Sequence, residues 1–172
     1  MKFSLFFVLT SILVYITSCG GLDPTNEPII PATQQPLVEG TIHFTGGKTT
    51  WPPKDSALEV RVVFFQKYPP DSNLVLAIST GEAFFTDTIL RFSDSSSFRL
   101  RRDEVNKALP LEFPYVVVAL RFGGNFFTDW RAIGVYSVEN DQSQPLKITV
   151  DTINTVKLQI PVDFTNPPPQ PF

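Results

Sequence analysis

The chain has 172 residues, with 14 Lys+Arg against 17 Asp+Glu and a formal net charge of −3. That length holds one domain, or one plus a tail, and the acidic balance argues against nucleic acid as a partner, since such binders carry a basic stripe. One Cys and one His exclude a disulfide scaffold, a Cys-rich metal site and an HExxH pair, so no metal or other cofactor is expected.

The chain opens with Lys2 and a mostly apolar stretch from Phe3 to Thr17. A cationic start followed by such a stretch predicts a signal peptide over residues 1–18. The stretch is shorter than the roughly 20 apolar residues a spanning helix needs. Ile16-Thr17-Ser18-Cys19 resembles a bacterial lipobox, with an aliphatic residue, two small residues and then Cys. The resemblance implies cleavage between Ser18 and Cys19, a diacylglyceryl thioether on Cys19 and acylation of the new amine. Two or three chains anchor stably where one gives marginal binding. The acidic chain gains nothing from anionic headgroups, so lipid does the tethering. Gly20 in place of Asp implies, by the same resemblance, the outer membrane, with the body facing the periplasm or the cell surface. The plainer alternative is an ordinary secretory signal with a stray Cys at its end.

Residues 19–36, CGGLDPTNEPIIPATQQP, are rich in Pro and Gly without apolar periodicity. They read as a tether with a reach of roughly 25 Å as coil to about 55 Å as extended chain. Residues 37–165 hold 17 of the 22 aromatic residues and so carry the core. Short apolar or alternating runs predict strands at 37–44, 57–65, 88–92, 97–100, 113–122, 133–138, 146–150 and 156–164, with one or two more across 74–85. In the second run Leu58, Val60, Val62 and Phe64 face the core and Glu59 and Arg61 face out. The longest apolar run, 113–122, is the central strand, with Pro114 at its entry. Only 101–109 reads as helix or 3-10 turn. Residues 166–172, NPPPQPF, are a proline-rich tail, packed back through Phe172 if at all. About 7–9 short strands with turn signals between them predict an all-β fold, a single antiparallel β-sandwich.

Val38-Glu-Gly-Thr-Ile-His-Phe44, the Trp51-Pro-Pro turn and Glu59-Val-Arg-Val-Val-Phe-Phe65 resemble the opening of transthyretin-like, prealbumin-like or carboxypeptidase-regulatory-like sandwiches of the broader Ig-like type. Ser97-Phe-Arg-Leu100 and Tyr115–Ala119 are similar to later elements of that group, although Ser97 stands where Gly is usual. With the lipobox, the whole resembles small bacterial envelope lipoproteins built on this sandwich. The hydroxyisourate hydrolases share the transthyretin fold but carry a C-terminal Tyr-Arg-Gly-Ser and several active-site histidines. This chain has neither, and fold alone does not carry an activity over.

His43 alternates away from the apolar face of its strand, and no GxSxG supplies a nucleophile for it. No catalytic residue is therefore assigned. Carboxylates at Asp71, Asp87, Asp94, Asp103, Glu104, Glu139, Asp141 and Asp151 leave a hydrolase with an unrecognised carboxylate pair as a minor alternative. Glu139–Ser143 reads as a solvated turn, with a Ca²⁺ loop as the minor alternative, and Arg99, Arg101 and Arg102 as a solvated strand-end basic cluster, with contact to an acidic partner as the minor alternative. The segment 122–131 sets Phe126, Phe127 and Trp130 beside Asn125 and Arg131. Aromatic rings beside amides and charges suit a binding loop, and Trp51 is a candidate to extend it. The competing reading buries these rings as a plug of the core. The expected role is structural or protein-docking within the envelope. The alternative is a glycan-binding module acting through 126–131.

Overall fold

The computed structural model describes residues 35–70, 73–139 and 141–171. Ser18, Cys19, nearly all of the tether and Phe172 lie outside the described residues. The described chain is all-β apart from one short helix. Eleven strands run in order: β1 Pro36–Phe44, β2 Glu59–Phe65, β3 Ala83–Phe85, β4 Ser95–Arg101, β5 Leu111–Phe113, β6 Tyr115–Arg121, β7 Trp130–Val135, β8 Ser137–Val138, β9 Asp141–Pro145, β10 Ile148–Val150 and β11 Val156–Val162. The helix, α1, spans Leu74–Ser79.

The strands form a three-stranded sheet, β11-β1-β4, a four-stranded sheet, β3-β2-β6-β7, and two small pairs, β10-β5 and β8-β9. β4 and β11 alternate buried and exposed residues strictly, which is the pattern of strands with one wet face. Their inward side chains, Phe98, Leu100, Leu158, Ile160 and Val162, join Val38 and Ile42 of β1. They meet Val60, Val62, Phe64, Val116, Val118 and Leu120 of the larger sheet in one core cluster. Two sheets sharing one core make a β-sandwich.

β6 is buried at six consecutive positions, because its sheet is covered on both faces. Its outward residues Tyr115, Val117 and Ala119 join Val63 and Phe65 in a second cluster with Leu74 and Ala77 of α1. This second layer explains why β6, and β2 from Val62 to Phe65, read as continuous apolar runs. Gly134 lets β7 approach β11 closely: a Cβ there would stand 2.6 Å from the Pro161 carbonyl oxygen.

Several expectations need correction. The sandwich is not wholly antiparallel, because β1 pairs β11 in parallel, Val38 opposite Val156 through Phe44 opposite Val162. The strands number eleven, the additions being short. Leu74–Phe85 is not strand throughout: α1 occupies its first half. Asn73 caps this helix by accepting from the Leu76 N–H at 2.9 Å. Leu74, Ala77 and Ile78 then fall on one face against the sheet. Residues 88–92 are no strand. They follow the edge of β2 through single bonds, such as Ile89 N–H to Val60 O at 2.9 Å. Across 101–109 only the 3-10 turn Arg102–Glu104 forms. Leu58 is half-buried, outside the core. His43 is exposed on the outer face of the three-stranded sheet, opposite Ser95 and Pro161. The tail packs back through Gln170, whose side chain meets Ala132 of β7.

Candidate functional site

The loop between β6 and β7 carries the densest set of displayed aromatic rings. Phe122, Phe126 and Phe127 are 40%, 50% and 64% exposed, whereas Trp130 keeps only 7% of its surface. The loop is a network of local bonds. The Phe122 N–H donates to Asp129 O at 2.9 Å, and the Asp129 N–H to Asn125 O at 3.0 Å. The Asp129 carboxylate accepts from the Asn125 N–H at 2.8 Å and the Thr128 hydroxyl at 2.9 Å. The Asn125 side chain accepts from the Phe127 N–H at 2.9 Å. A Cβ on Gly123 would stand 2.2 Å from an Asp129 carboxylate oxygen, so only glycine lets that carboxylate reach into the turn.

Trp130 locks this network to the sheet. Its indole N–H donates to Phe126 O at 2.8 Å, and its ring lies in the second core cluster. Phe126 stands edge-on to both Trp130 and Phe127, with centroids 6.0 and 5.9 Å apart. Two guanidiniums border the rings: Arg121 is 6.0 Å from the Phe126 centroid and Arg131 is 5.6 Å from that of Phe122. Arg121 is itself fixed by the Glu59 carboxylate at 3.2 Å. Burial alone would raise the pKa of Glu59. The hydrogen bonds and charges of Arg61 and Arg121 outweigh that and hold it below its ordinary value.

The structure thus brings together Asn125, Phe126, Phe127, Trp130 and Arg131, and divides their roles. The two phenylalanines are displayed, Asn125 shapes the turn, Arg131 flanks it, and Trp130 is the buried support. Trp51 is elsewhere. It sits in the inter-sheet core with ring centroids 4.4, 5.2 and 4.9 Å from Phe44, Phe92 and Phe164. Its indole N–H donates to Ser93 O at 3.0 Å. It therefore does not extend the loop.

Phe122 and Arg121 also belong to the site; the sequence reading took Phe122 only as the start of the segment and left Arg121 out. Their signal was position: both close the β6 run just before Gly123-Gly124, where the ladder ends. The other polar candidates are engaged locally. Asp141 accepts from Ser143 and Gln144. Arg101 pairs with Asp103 and Glu104 at 3.2 and 3.0 Å. Among the described residues no three His, Cys, Asp or Glu side chains gather as a metal site would require.

Chemically, the loop can offer apolar ring surface in a fixed arrangement with cations at its border. Its one carboxylate is committed to shaping it. Such a surface binds by packing. Holding the rings before contact removes part of the ordering cost of association. Compared with protein-family models, with curated proteins and with solved structures, the chain matches none of them.

Proposed function

We propose that this chain is a lipid-anchored protein of a bacterial cell envelope, in the outer membrane, whose sandwich is a non-catalytic docking module. The observation that carries the docking role is the pinned loop displaying Phe122, Phe126 and Phe127. Exposed rings in a stable domain mark interaction sites when they cluster, and aromatic anchors bordered by Arg are the common form of binding hot spots. The anchor rests on Lys2, the apolar stretch and the Ile16–Cys19 lipobox resemblance.

The loop's place in the fold leaves it open to a protein partner. The described body is entered at Pro36, and β1 runs from there to Phe44, which packs on Trp51. The chain then reaches β2, whose first residue, Glu59, lies opposite Arg121 at the end of β6. The aromatic loop therefore lies at the end of the sandwich remote from Pro36. The glycan alternative acts through residues 126–131, of which Trp130 is the largest ring. That ring is buried with its N–H engaged, which favours the protein partner.

The test replaces Phe127 in the full chain with a photoreactive phenylalanine analogue and irradiates intact envelopes. The expected result is one protein adduct of fixed mass that fades when Phe126→Ala is added. No adduct, or adducts to lipid alone, overturns the docking reading.

A further inference from the structure

β7 is an edge strand of the four-stranded sheet, and edge strands present unpaired backbone groups that invite another strand. At Ala132 those groups are met by a side chain. The Ala132 N–H donates to Gln170 Oε1 at 2.9 Å, and Gln170 Nε2 donates to Ala132 O at 3.1 Å. Two opposed residues of an antiparallel ladder exchange this same pair of bonds. The Gln170 carboxamide thus stands where the facing residue of a neighbouring strand would stand.

Around that point the described tail cannot extend the imitation into a ladder. Pro167, Pro168, Pro169 and Pro171 surround Gln170, and proline has no N–H to give a ladder. Of the tail, Pro168 is buried, while Asn166, Pro167 and Pro169 are exposed. The second Gln170 N–H is used on Pro168 O at 2.8 Å, which fixes the carboxamide in its orientation. The result covers the edge without lengthening the sheet.

We infer that the proline-rich tail is a removable cover for the outer edge of β7, and that the uncovered edge pairs with the same edge of a second copy of this chain. A two-fold arrangement suits it, because Ala132 of each copy then supplies to the other the two bonds Gln170 now supplies. β7 starts at Trp130, where the aromatic loop ends. This goes beyond the docking role and does not depend on the lipid anchor.

Sedimentation of the full chain in mild detergent, against the same chain ended at Asn166, tests the inference. The full chain is expected to stay single at every concentration, and the shortened chain to become paired as concentration rises. Ala132→Pro in the shortened chain removes the outward N–H and is expected to return it to single copies. A second variant, Gln170→Leu in the full chain, keeps the tail length but removes both bonds. It is expected to pair at higher concentration than the shortened chain. The inference is overturned if either folded variant, judged by a native circular-dichroism spectrum, stays single throughout. It is equally overturned if pairing survives Ala132→Pro or if the full chain is already paired.

Discussion

Three aromatic residues close together in sequence have opposite roles, and the difference is measurable one side chain at a time. Trp130 fills the second core cluster and ties Phe126 O to the sheet. Trp130→Ala is therefore expected to cost about 3–5 kcal/mol, the range for removing a buried aromatic, in urea unfolding. Phe127, 64% exposed, is expected to shift stability by no more than about 0.5 kcal/mol when changed to Ala. Equal losses of stability for the two would show that the rings form one buried plug. Glu59 gives a pH-dependent counterpart. Its folded pKa is depressed by Arg61 and Arg121, so its contribution is whole above the ordinary Glu value of about 4.3. That contribution is lost as pH falls through the lower folded value. Denaturant midpoints taken from neutral pH down to about pH 3 should fall more steeply for wild type than for Glu59→Gln. Parallel curves would mean that the Glu59 pairs contribute nothing to stability.

At the scale of elements, what could be read in advance was set by how many faces each strand buries. β4 and β11 have one wet face, so alternation announced them. β6 and the second half of β2 lie between two layers, and the unbroken apolar run of β6 marked it as central without showing which side met which. α1 was illegible for a related reason. Its six residues, LVLAIS, are as apolar as a strand and too few to display a helical period, leaving only the Asn73 cap as a signal. Phe127 and Trp51 could not be sorted by type, since both are aromatic residues close to Gly or Pro. Trp51 is buried by Phe44, Phe92 and Phe164, partners brought in from three separate segments. The parallel pairing of β1 with β11 was equally invisible, because nothing local to either strand specifies a neighbour so distant in sequence. It has a testable consequence in Gly134, which admits β7 against β11. An added methyl would meet the Pro161 carbonyl oxygen at 2.6 Å and Val162 Cγ2 at 2.6 Å. Backbone cannot swing aside as a flexible side chain can, so Gly134→Ala is expected to destabilise by about 1–3 kcal/mol. Gly124→Ala, in open space within the aromatic loop, is the control and should change little. A neutral Gly134→Ala in chemical denaturation would mean that the strands separate without cost.

For the molecule as a whole, the proposed anchor and the docking loop make separate demands. The loop needs the sandwich folded, whereas the anchor needs only the segment that ends in Ile16-Thr17-Ser18-Cys19. Electrostatics offers the anchor no help, because the net charge is −3 with Lys2 included and anionic headgroups attract basic segments alone. On the proposed reading, membrane residence comes from acyl chains, at about 0.8 kcal/mol per buried CH₂, and two or more chains are needed for it to last. Losing the thiol is therefore expected to abolish attachment outright. Cys19→Ala should take up no clickable palmitate analogue and should leave the membrane fraction or accumulate uncleaved. The wild type should take up the label and pellet with membranes. Salt washing should not release it, since raised ionic strength weakens only charge-based attachment. A wild type that stays unlabelled, or that salt alone strips from the membrane, sinks the lipid anchor. The aromatic loop would then still call for a partner, sought among soluble exported proteins.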